Sequence, residues 1–173
     1  MIANPDYASS LLDPEIHDLT LFDSGEPELD TWPREHATAA ARARVAHTFV
    51  WVDIVSTAVV AYYSLYAHAV PREGAPNRIG RGVPDPVPAA LIAKLALDRS
   101  LQGMRLGGVL LADALERIIA TGEAGLAVRA IVVDASTDRG RSLYARFGFV
   151  PSPRRADRMI VRAGTIAKGL RRD

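Results

Sequence analysis

The stretch that most constrains this chain is RSLQGMRLGGVLLADAL, residues 99–115. Leu106, Leu110, Leu111, Leu115, Ile118 and Ile119 recur at helical spacing and predict a helix over 107–121 with one buried stripe. Directly before it, AALIAKLALD (89–98) is apolar almost throughout, as expected of a strand covered on both faces. Between them lies a bend rich in glycine. A helix start carries unpaired backbone N–H groups and a partial positive charge. Missing Cβ atoms in front of it let an anion approach those groups, and successive N–H groups in a tight turn form a nest for it. Residues 99–106 are therefore a candidate diphosphate cradle, with Gln102 and Arg105 as additional side-chain donors. The same residues also fit a plain strand-to-helix connection. The bend is not a Walker A loop, because no Gly-Lys-Ser/Thr follows, and it does not match G-x-G-x-x-G.

The rest of the chain is read around this unit. Its 173 residues suit one domain with a real core, so 1–173 is expected to be a single domain. IHDLTLF (16–22) alternates loosely and is expected to be the first strand. A helix follows, opened by Glu28 and Asp30 and continued by an alanine-rich run to Arg44, with Pro33 tolerable only near its start. Residues 45–53 and 57–70 are β-branched and aromatic, and read as strands. Residues 71–88 hold five prolines and are expected to form a mobile surface loop. AVRAIVVDAS (127–136) reads as another buried strand, DRGRSLYARFG (138–148) as a short helix ending at Gly148, and DRMIVRAG (157–164) as the last strand. The order β-α-β-β-loop-β-α-β-α-β implies an α/β fold, a central mixed sheet with helices on its faces.

Cysteine is absent, which removes disulfides and thiolate metal sites and fits a reducing cytoplasm. His17, His36, His47 and His68 show no metal spacing, so no metal is expected. No run of 18 apolar residues occurs, and MIANPDYASS lacks a basic region followed by an apolar one, so neither a membrane span nor a secretory leader is expected. The net charge of +1 conceals an asymmetry: residues 1–36 carry −8 and residues 137–173 carry +7. The two ends either attract each other or leave a basic face for a polyanion.

Two segments resemble one family. LIAKLALDRSLQGMRLGGVLLADAL is similar to the acetyl-CoA-binding segment of the GNAT acetyltransferases, whose pattern is Gln/Arg-x-x-Gly-x-Gly/Ala. Gln102 and Gly107 fill the outer places, and Arg105 stands where the middle glycine is expected. A positive φ there strains arginine; in the right-handed region its guanidinium is instead available to phosphate. VDASTDRGRSLYARFGFVPS resembles the family's final signature, with Tyr144 and Gly148-Phe149 in place. The resemblance implies a GNAT fold and acetyl-CoA as cosubstrate. It implies cofactor contacts from the backbone of Leu95, Ala96 and Leu97, beside Lys94, where pantetheine pairs like an added strand. Further contacts are implied from Gln102, Gly103, Met104, Arg105, Leu106, Gly107 and Gly108, and from Thr137 and Arg141 along the cofactor arm.

LFDSGEPELDTW resembles the entry motif of the toxin branch of the family through Phe22, Ser24, Gly25, Leu29, Asp30 and Trp32. That branch implies acetylation of the α-amine of aminoacyl-tRNA, inhibition of translation in the cytoplasm, a ribbon-helix-helix antitoxin and a homodimer. An α-amine titrates near ~8 in reference peptides, and esterification of the neighbouring carboxyl lowers it further, so a large part is neutral without a strong base. The departing thiolate gains from a proton, and Tyr144 is the implied donor. Arg139, Arg146, Arg154 and Arg155 are the implied contacts to the tRNA backbone. Two other readings stay open: a GNAT enzyme for a small amine or a protein N-terminus, and a non-catalytic acetyl-CoA-binding or partner-binding module.

Overall fold

The computed structural model describes residues 6–171. The first five residues of the stretch weighed as a leader, and Arg172 and Asp173 of the basic C-terminal run, lie outside them. Seven strands form a sheet in the order β1-β2-β3-β4-β5-β7-β6. They are β1 (Tyr7–Leu11), β2 (Ala46–Asp53), β3 (Val59–Val70), β4 (Val87–Leu97), β5 (Ala130–Asp134), β6 (Val150–Pro151) and β7 (Arg158–Arg162). The helices are α1 (Pro27–Thr31), α2 (Ala37–Arg42), α3 (Asn77–Gly80), α4 (Leu106–Glu123), α5 (Asp138–Arg146) and α6 (Ala163–Leu170). The sheet is mixed: β4 runs parallel to β5, while β1–β2, β2–β3, β5–β7 and β6–β7 are antiparallel. By its contacts the chain divides into two compact units, 1–66 with 93–114, and 67–92 with 115–173.

In the first unit, β2 pairs with β1 from Tyr7↔Asp53 to Leu11↔Phe49 and with β3 from Ala46↔Tyr66 to Val52↔Val59. Val50 and Val52 share one face of β2, and a register shift that passes over Val60 sets Val59 opposite Val52 on the same face as Tyr62, where Phe22 and Ala96 complete a core flanked by Leu12, Leu19, Leu29 and Trp32. Phe22 meets Tyr62 edge-on at 5.6 Å, and the Tyr62 hydroxyl donates to the Leu29 carbonyl at 2.7 Å. The helix read over 28–44 is present, but a π-helical turn at Trp32–His36 separates α1 from α2. Pro33 sits in that turn, which relieves the clash a proline ring makes inside a regular helix. Of the α4 stripe, Leu110, Leu111, Leu115 and Ile118 are buried, while Leu106 and Ile119 are half-buried. The helix also carries a buried carboxylate, Asp113, that accepts from Ser9 Oγ at 2.6 Å and Trp51 Nε1 at 2.9 Å.

In the second unit, Ala89–Ile92 of β4 pairs with Ala130–Val133 of β5, and β5 pairs with β7 from Ala130↔Arg162 to Asp134↔Arg158. Val70, Ala75, Ile79, Val87, Ala89, Ala130, Val132 and Ile160 form its core.

Three expectations are corrected. Residues 16–22 are not a strand; they make turns and a single bridge, Asp18↔Ala58. The first strand is instead β1, which the alternation did not mark. Residues 71–88 are not merely a surface loop. They form helical turns at Arg72–Gly74 and α3, and Ile79 is only 1% exposed in the core. The chain also continues past the last expected strand into α6.

Candidate active site

β4 ends at Leu97, and Ala89–Ile92 within it pairs in parallel with Ala130–Val133 of β5. Alternation leaves Leu95 and Leu97 half-buried around the buried Ala96. Lys94 points the other way and lies 5.7 Å from the centre of the Trp32 ring. Trp32 is oriented by Nε1, which donates to Ser64 Oγ at 2.9 Å; Ser64 in turn bonds Thr48 Oγ1 at 2.8 Å.

Beyond β4 the bend is stitched to the N-terminal motif. Asp98 accepts the Asp23 N–H at 3.0 Å, and the Arg99 N–H donates to the Asp23 carbonyl at 2.8 Å. Burial would raise the Asp98 carboxyl. The N–H groups of Asp23 and Ser100, the Ser100 hydroxyl and Arg99 outweigh it and hold the carboxyl below the ordinary value. Arg99 Nε reaches Asp23 Oδ1 at 3.2 Å. Its guanidinium also packs on Gly25, where a Cβ would meet Nε at 3.1 Å. With φ at +88°, Gly25 is a position that requires glycine twice over. Ser24 N and Oγ both donate to Asp30 Oδ1 at 2.7 Å, which fixes the start of α1.

Gln102 was read as a donor to phosphate. Its side-chain amide instead donates to the carbonyls of Ser24 at 2.8 Å and Leu97 at 3.1 Å, so its role here is to shape the bend. Gly103 has φ +83° with open space where a Cβ would stand, and Arg105 has φ +62°. Arginine thus adopts the left-handed conformation of the glycine it stands for, and the shape of the turn survives the departure from the motif. Met104 is exposed, Leu106, Gly107 and Gly108 are half-buried, and the first turn of α4 holds no acidic residue. The bend, its positive-φ residues and the acid-free start of an 18-residue helix fit a diphosphate.

In the second unit, Thr137 caps α5 by accepting the Gly140 N–H at 3.1 Å. Arg141 Nη1 donates to the Ala156 carbonyl at 2.9 Å. Both were read as cofactor contacts, and both make structural bonds here. Tyr144 lies half-buried on α5 with its ring 5.8 Å from Phe149, and Gly148, with φ +87°, turns the chain just past the end of α5 at Arg146. Burial first, and the negative charge of Asp134 second, raise the Tyr144 hydroxyl above its ordinary value. The hydroxyl therefore keeps its proton at neutral pH.

The four arginines assigned to tRNA divide. Arg139 and Arg146 are exposed on α5. Arg154 pairs with Glu73 at 3.2 Å, and Arg155 with Asp157 at 2.7 Å and Asp134 at 3.7 Å. Spacing did not mark Arg158, which grips Asp134 through two bonds of 2.8 and 2.9 Å and contacts His68 Nε2 at 3.0 Å. Burial, and then Arg158, lowers the His68 pKa. No group of three or more His, Cys, Asp or Glu side chains suited to a metal occurs among the described residues, and no described helix is long and apolar enough to cross a membrane.

A strand that runs into a glycine-rich bend and then a long helix whose first turn holds no acid is the arrangement that the sequence motifs assign to an acyltransferase. The family model for acetyltransferases (GNAT) matches residues 14–149, and the chain belongs to that family. It is 40% identical over 139 residues to the "tRNA-acetylating toxin" of Mycobacterium tuberculosis, covering 80% of this chain and 82% of that protein. It is 30% identical over 163 residues to "Probable toxin TacT" of Sinorhizobium fredii, covering 90% of each. Among solved structures it resembles AtaT complexed with acetyl-methionyl-tRNAfMet, with TM-score 0.86 and 22% identity over 95% of this chain and 99% of that one. It also resembles AtaTR bound with AcCoA, with TM-score 0.81 and 22% identity over 96% and 99%.

Proposed function

We propose that this acetyltransferase moves the acetyl group of acetyl-CoA to the α-amine of aminoacyl-tRNA and thereby blocks translation. The observation that carries this reading is the 40% identity to the tRNA-acetylating toxin over most of both chains. The geometry supports it locally. Acetyl-CoA supplies an activated thioester. The backbone amides from Gly103 to Gly108 hold its diphosphate, helped by the start of α4 and the Arg105 guanidinium. The backbone of Leu95, Ala96 and Leu97 pairs with its amides and presents N–H groups to the carbonyl oxygen as charge grows there. Thr137 and Arg141 flank the cofactor arm through α5. Tyr144, protonated at neutral pH, donates its proton to the departing thiolate. The attacking amine, whose pKa the adjacent ester lowers below the reference value, is in large part neutral at cytoplasmic pH and passes its proton to water. Arg139 and Arg146 on α5, and Arg154 and Arg155 beyond it, add positive charge for the tRNA backbone.

The same reading carries a homodimer, a ribbon-helix-helix antitoxin that covers the basic residues with an acidic tail, a cytoplasmic location, and 1–173 working as one domain. The test is incubation with charged tRNAs and acetyl-CoA. The expected product is an N-acetylated aminoacyl ester on at least one tRNA. Acetyl-CoA binding by calorimetry without that product on any tRNA, together with acetylation of a small amine or a peptide N-terminus, replaces this reading by the more general acetyltransferase.

A further inference from the structure

Residues two apart on a strand share a face of the sheet. Val70, Val132 and Ile160 meet in the core of the second unit, and two residues from each, on β3, β5 and β7, stand His68, Asp134 and Arg158. A polar layer thus borders the apolar one at the end of β5 that leads, through Thr137, into α5. Asp134 lies directly opposite Arg158, whose Nε and Nη2 donate to its two carboxylate oxygens at 2.8 and 2.9 Å. Arg158 Nη1 lies 3.0 Å from His68 Nε2. A guanidinium has donors only, so Nε2 accepts, and the imidazole is neutral with its proton on Nδ1. All three side-chain nitrogens of Arg158 are therefore engaged, which fixes the plane of its fork. We propose that Arg158 is a positioning residue for acetyl transfer: by fixing and neutralising Asp134 it makes Tyr144 a competent proton donor. This inference rests on the role given to Tyr144 under the proposed function.

Tyr144 is placed to feel Asp134. Helical side chains lean toward the N-terminus of their helix, and the Tyr144 ring lies over Gly140, its Cε2 3.7 Å from where a Cβ there would stand. The ring is thereby carried back toward the start of α5 at Asp138, just past the end of β5 at Asp134. The Asp134 charge opposes ionisation of the hydroxyl. Tyr144 gives its proton to the sulfur as the carbon–sulfur bond breaks and the amine nitrogen bonds the acetyl carbon; the tyrosinate left behind takes a proton back from water. A bare Asp134 works against that step, because negative charge forms on the phenolic oxygen as the proton leaves. Two carboxylates, Asp134 and Asp157, face two guanidiniums, Arg155 and Arg158. His68 is neutral, its pKa lowered by burial first and then by Arg158. Arg141 is turned to the Ala156 carbonyl, and Asp138, Arg139 and Arg146 of α5 are exposed. Of the two guanidiniums only one is sheltered: the Arg158 side chain is 13% exposed and that of Arg155 47%. Solvent screens Arg155, which also divides itself between Asp157 at 2.7 Å and Asp134 at 3.7 Å. Arg158 is therefore the charge that cancels Asp134. A role limited to tying β5 to β7 needs the bonds but not the charge, and the experiment separates the two.

The experiment places a fluorinated tyrosine at position 144 of the full chain, where its lower intrinsic pKa brings the ionisation into an accessible range, and follows it by fluorine NMR against pH. In parallel, kcat and the KM for acetyl-CoA are measured on the unlabelled proteins with aminoacyl-tRNA as acceptor. In Arg158→Gln the fluorophenol is expected to ionise about one pH unit higher and kcat to fall about tenfold, one such unit being a tenfold change in equilibrium. The KM for acetyl-CoA is expected to stay at the wild-type level. In Arg158→Gln/Asp134→Asn, which keeps a hydrogen-bonding pair but no charge, ionisation and kcat are both expected to return to wild-type values. Unchanged ionisation and kcat in Arg158→Gln overturn the proposal. A loss of kcat that the double variant does not restore also overturns it, in favour of a structural tie between strands. If Arg158→Gln does not fold, Asp134→Asn decides: the fluorophenol is expected to ionise at lower pH with kcat undiminished, and an unchanged ionisation overturns the proposal. If the wild-type chain acetylates no aminoacyl-tRNA, the reading of the reaction fails, and the fluorine titration still supports or overturns the coupling of Arg158 to Tyr144.

Discussion

The bend after β4 and the end of α5, to which the proposed function assigns the chemistry, are built in opposite ways. The bend is held by backbone groups. The N–H and C=O of Asp23, the C=O of Ser24 and the C=O of Leu97 are each bonded to Asp98, Arg99 or Gln102. The surroundings of Tyr144 are held by side chains: an aromatic contact to Phe149 and, around Asp134, the guanidinium groups of Arg155 and Arg158. A backbone-bonded bend loses shape when a partner is removed. A side chain packed on one ring loses only its own chemistry. The largest expected effect tests that difference. Tyr144→Phe is expected to lower kcat about 10²–10⁴-fold, the usual worth of a positioned proton donor. Its thermal midpoint and its acetyl-CoA affinity are expected to stay close to wild type, because the ring contact to Phe149 survives. A kcat within a few-fold of wild type removes Tyr144 from the reaction. A large fall in midpoint would instead make α5 as structural as the bend.

The next two predictions concern the first unit. Asp113→Ala takes the buried acceptor from Trp51 Nε1, and the cost of such an orphaned donor is about 1–3 kcal/mol. Denaturant titration measures it, and a change under about 0.5 kcal/mol, the range of ordinary surface substitutions, would show that the carboxylate is not the anchor of that helix face. Asp98→Asn is expected to cost about 1–2 kcal/mol, since a charged acceptor of three hydrogen bonds becomes neutral. Its sign with pH follows from the depressed carboxyl. The stabilisation is complete above the unfolded value near ~3.9 and disappears as pH falls through the lower folded value. The wild type is therefore expected to lose stability relative to Asp98→Asn as pH is lowered between about 5 and 2. Parallel stability–pH curves for the two proteins would break the assignment.

What the sequence shows and what it hides follow the same division. β2 to β5, α4 and α5 were legible because their apolar runs are long and their periods clear. β1 was hidden because Tyr7–Leu11 has no alternation; it is a strand because the edge of β2 offers hydrogen bonds and Tyr7 stacks on Trp51 at 6.1 Å. Residues 16–22 alternate for another reason: Leu19 and Phe22 enter the core from turns that Asp13 and Asp18 hold through side-chain bonds to nearby N–H groups. The prolines at 71 and 76 were read as breaks. Each directly precedes a helical turn, and the second turn buries Ile79. In the candidate site, the two motifs were visible separately. Their joint through Asp23 and Asp98 was not, since no one-dimensional spacing connects positions 75 residues apart. The ion pairs of Arg154 and Arg155 were hidden for the same reason: a basic run shows charge but not which acids face it.

The smallest effect is the most informative about the bend itself. Arg105 sits at φ +62°, a region that costs an L residue roughly 1–2 kcal/mol relative to glycine. Arg105→Gly removes that strain but gives the unfolded chain more entropy, about 0.4–1 kcal/mol in the opposite direction. The net expectation is a stabilisation of about 0.5 kcal/mol, seen as a small rise in thermal midpoint. If the exposed guanidinium also holds the diphosphate, the same variant binds acetyl-CoA about tenfold more weakly, the worth of one charge-assisted hydrogen bond. The two readouts move in opposite directions, which no global damage to the fold produces. A rise in midpoint with unchanged affinity means that arginine is tolerated at a glycine position and that the amides alone hold the anion. A fall in both means that Arg105 supports the bend itself, and the contrast between a backbone-built cradle and a side-chain-built α5 no longer holds.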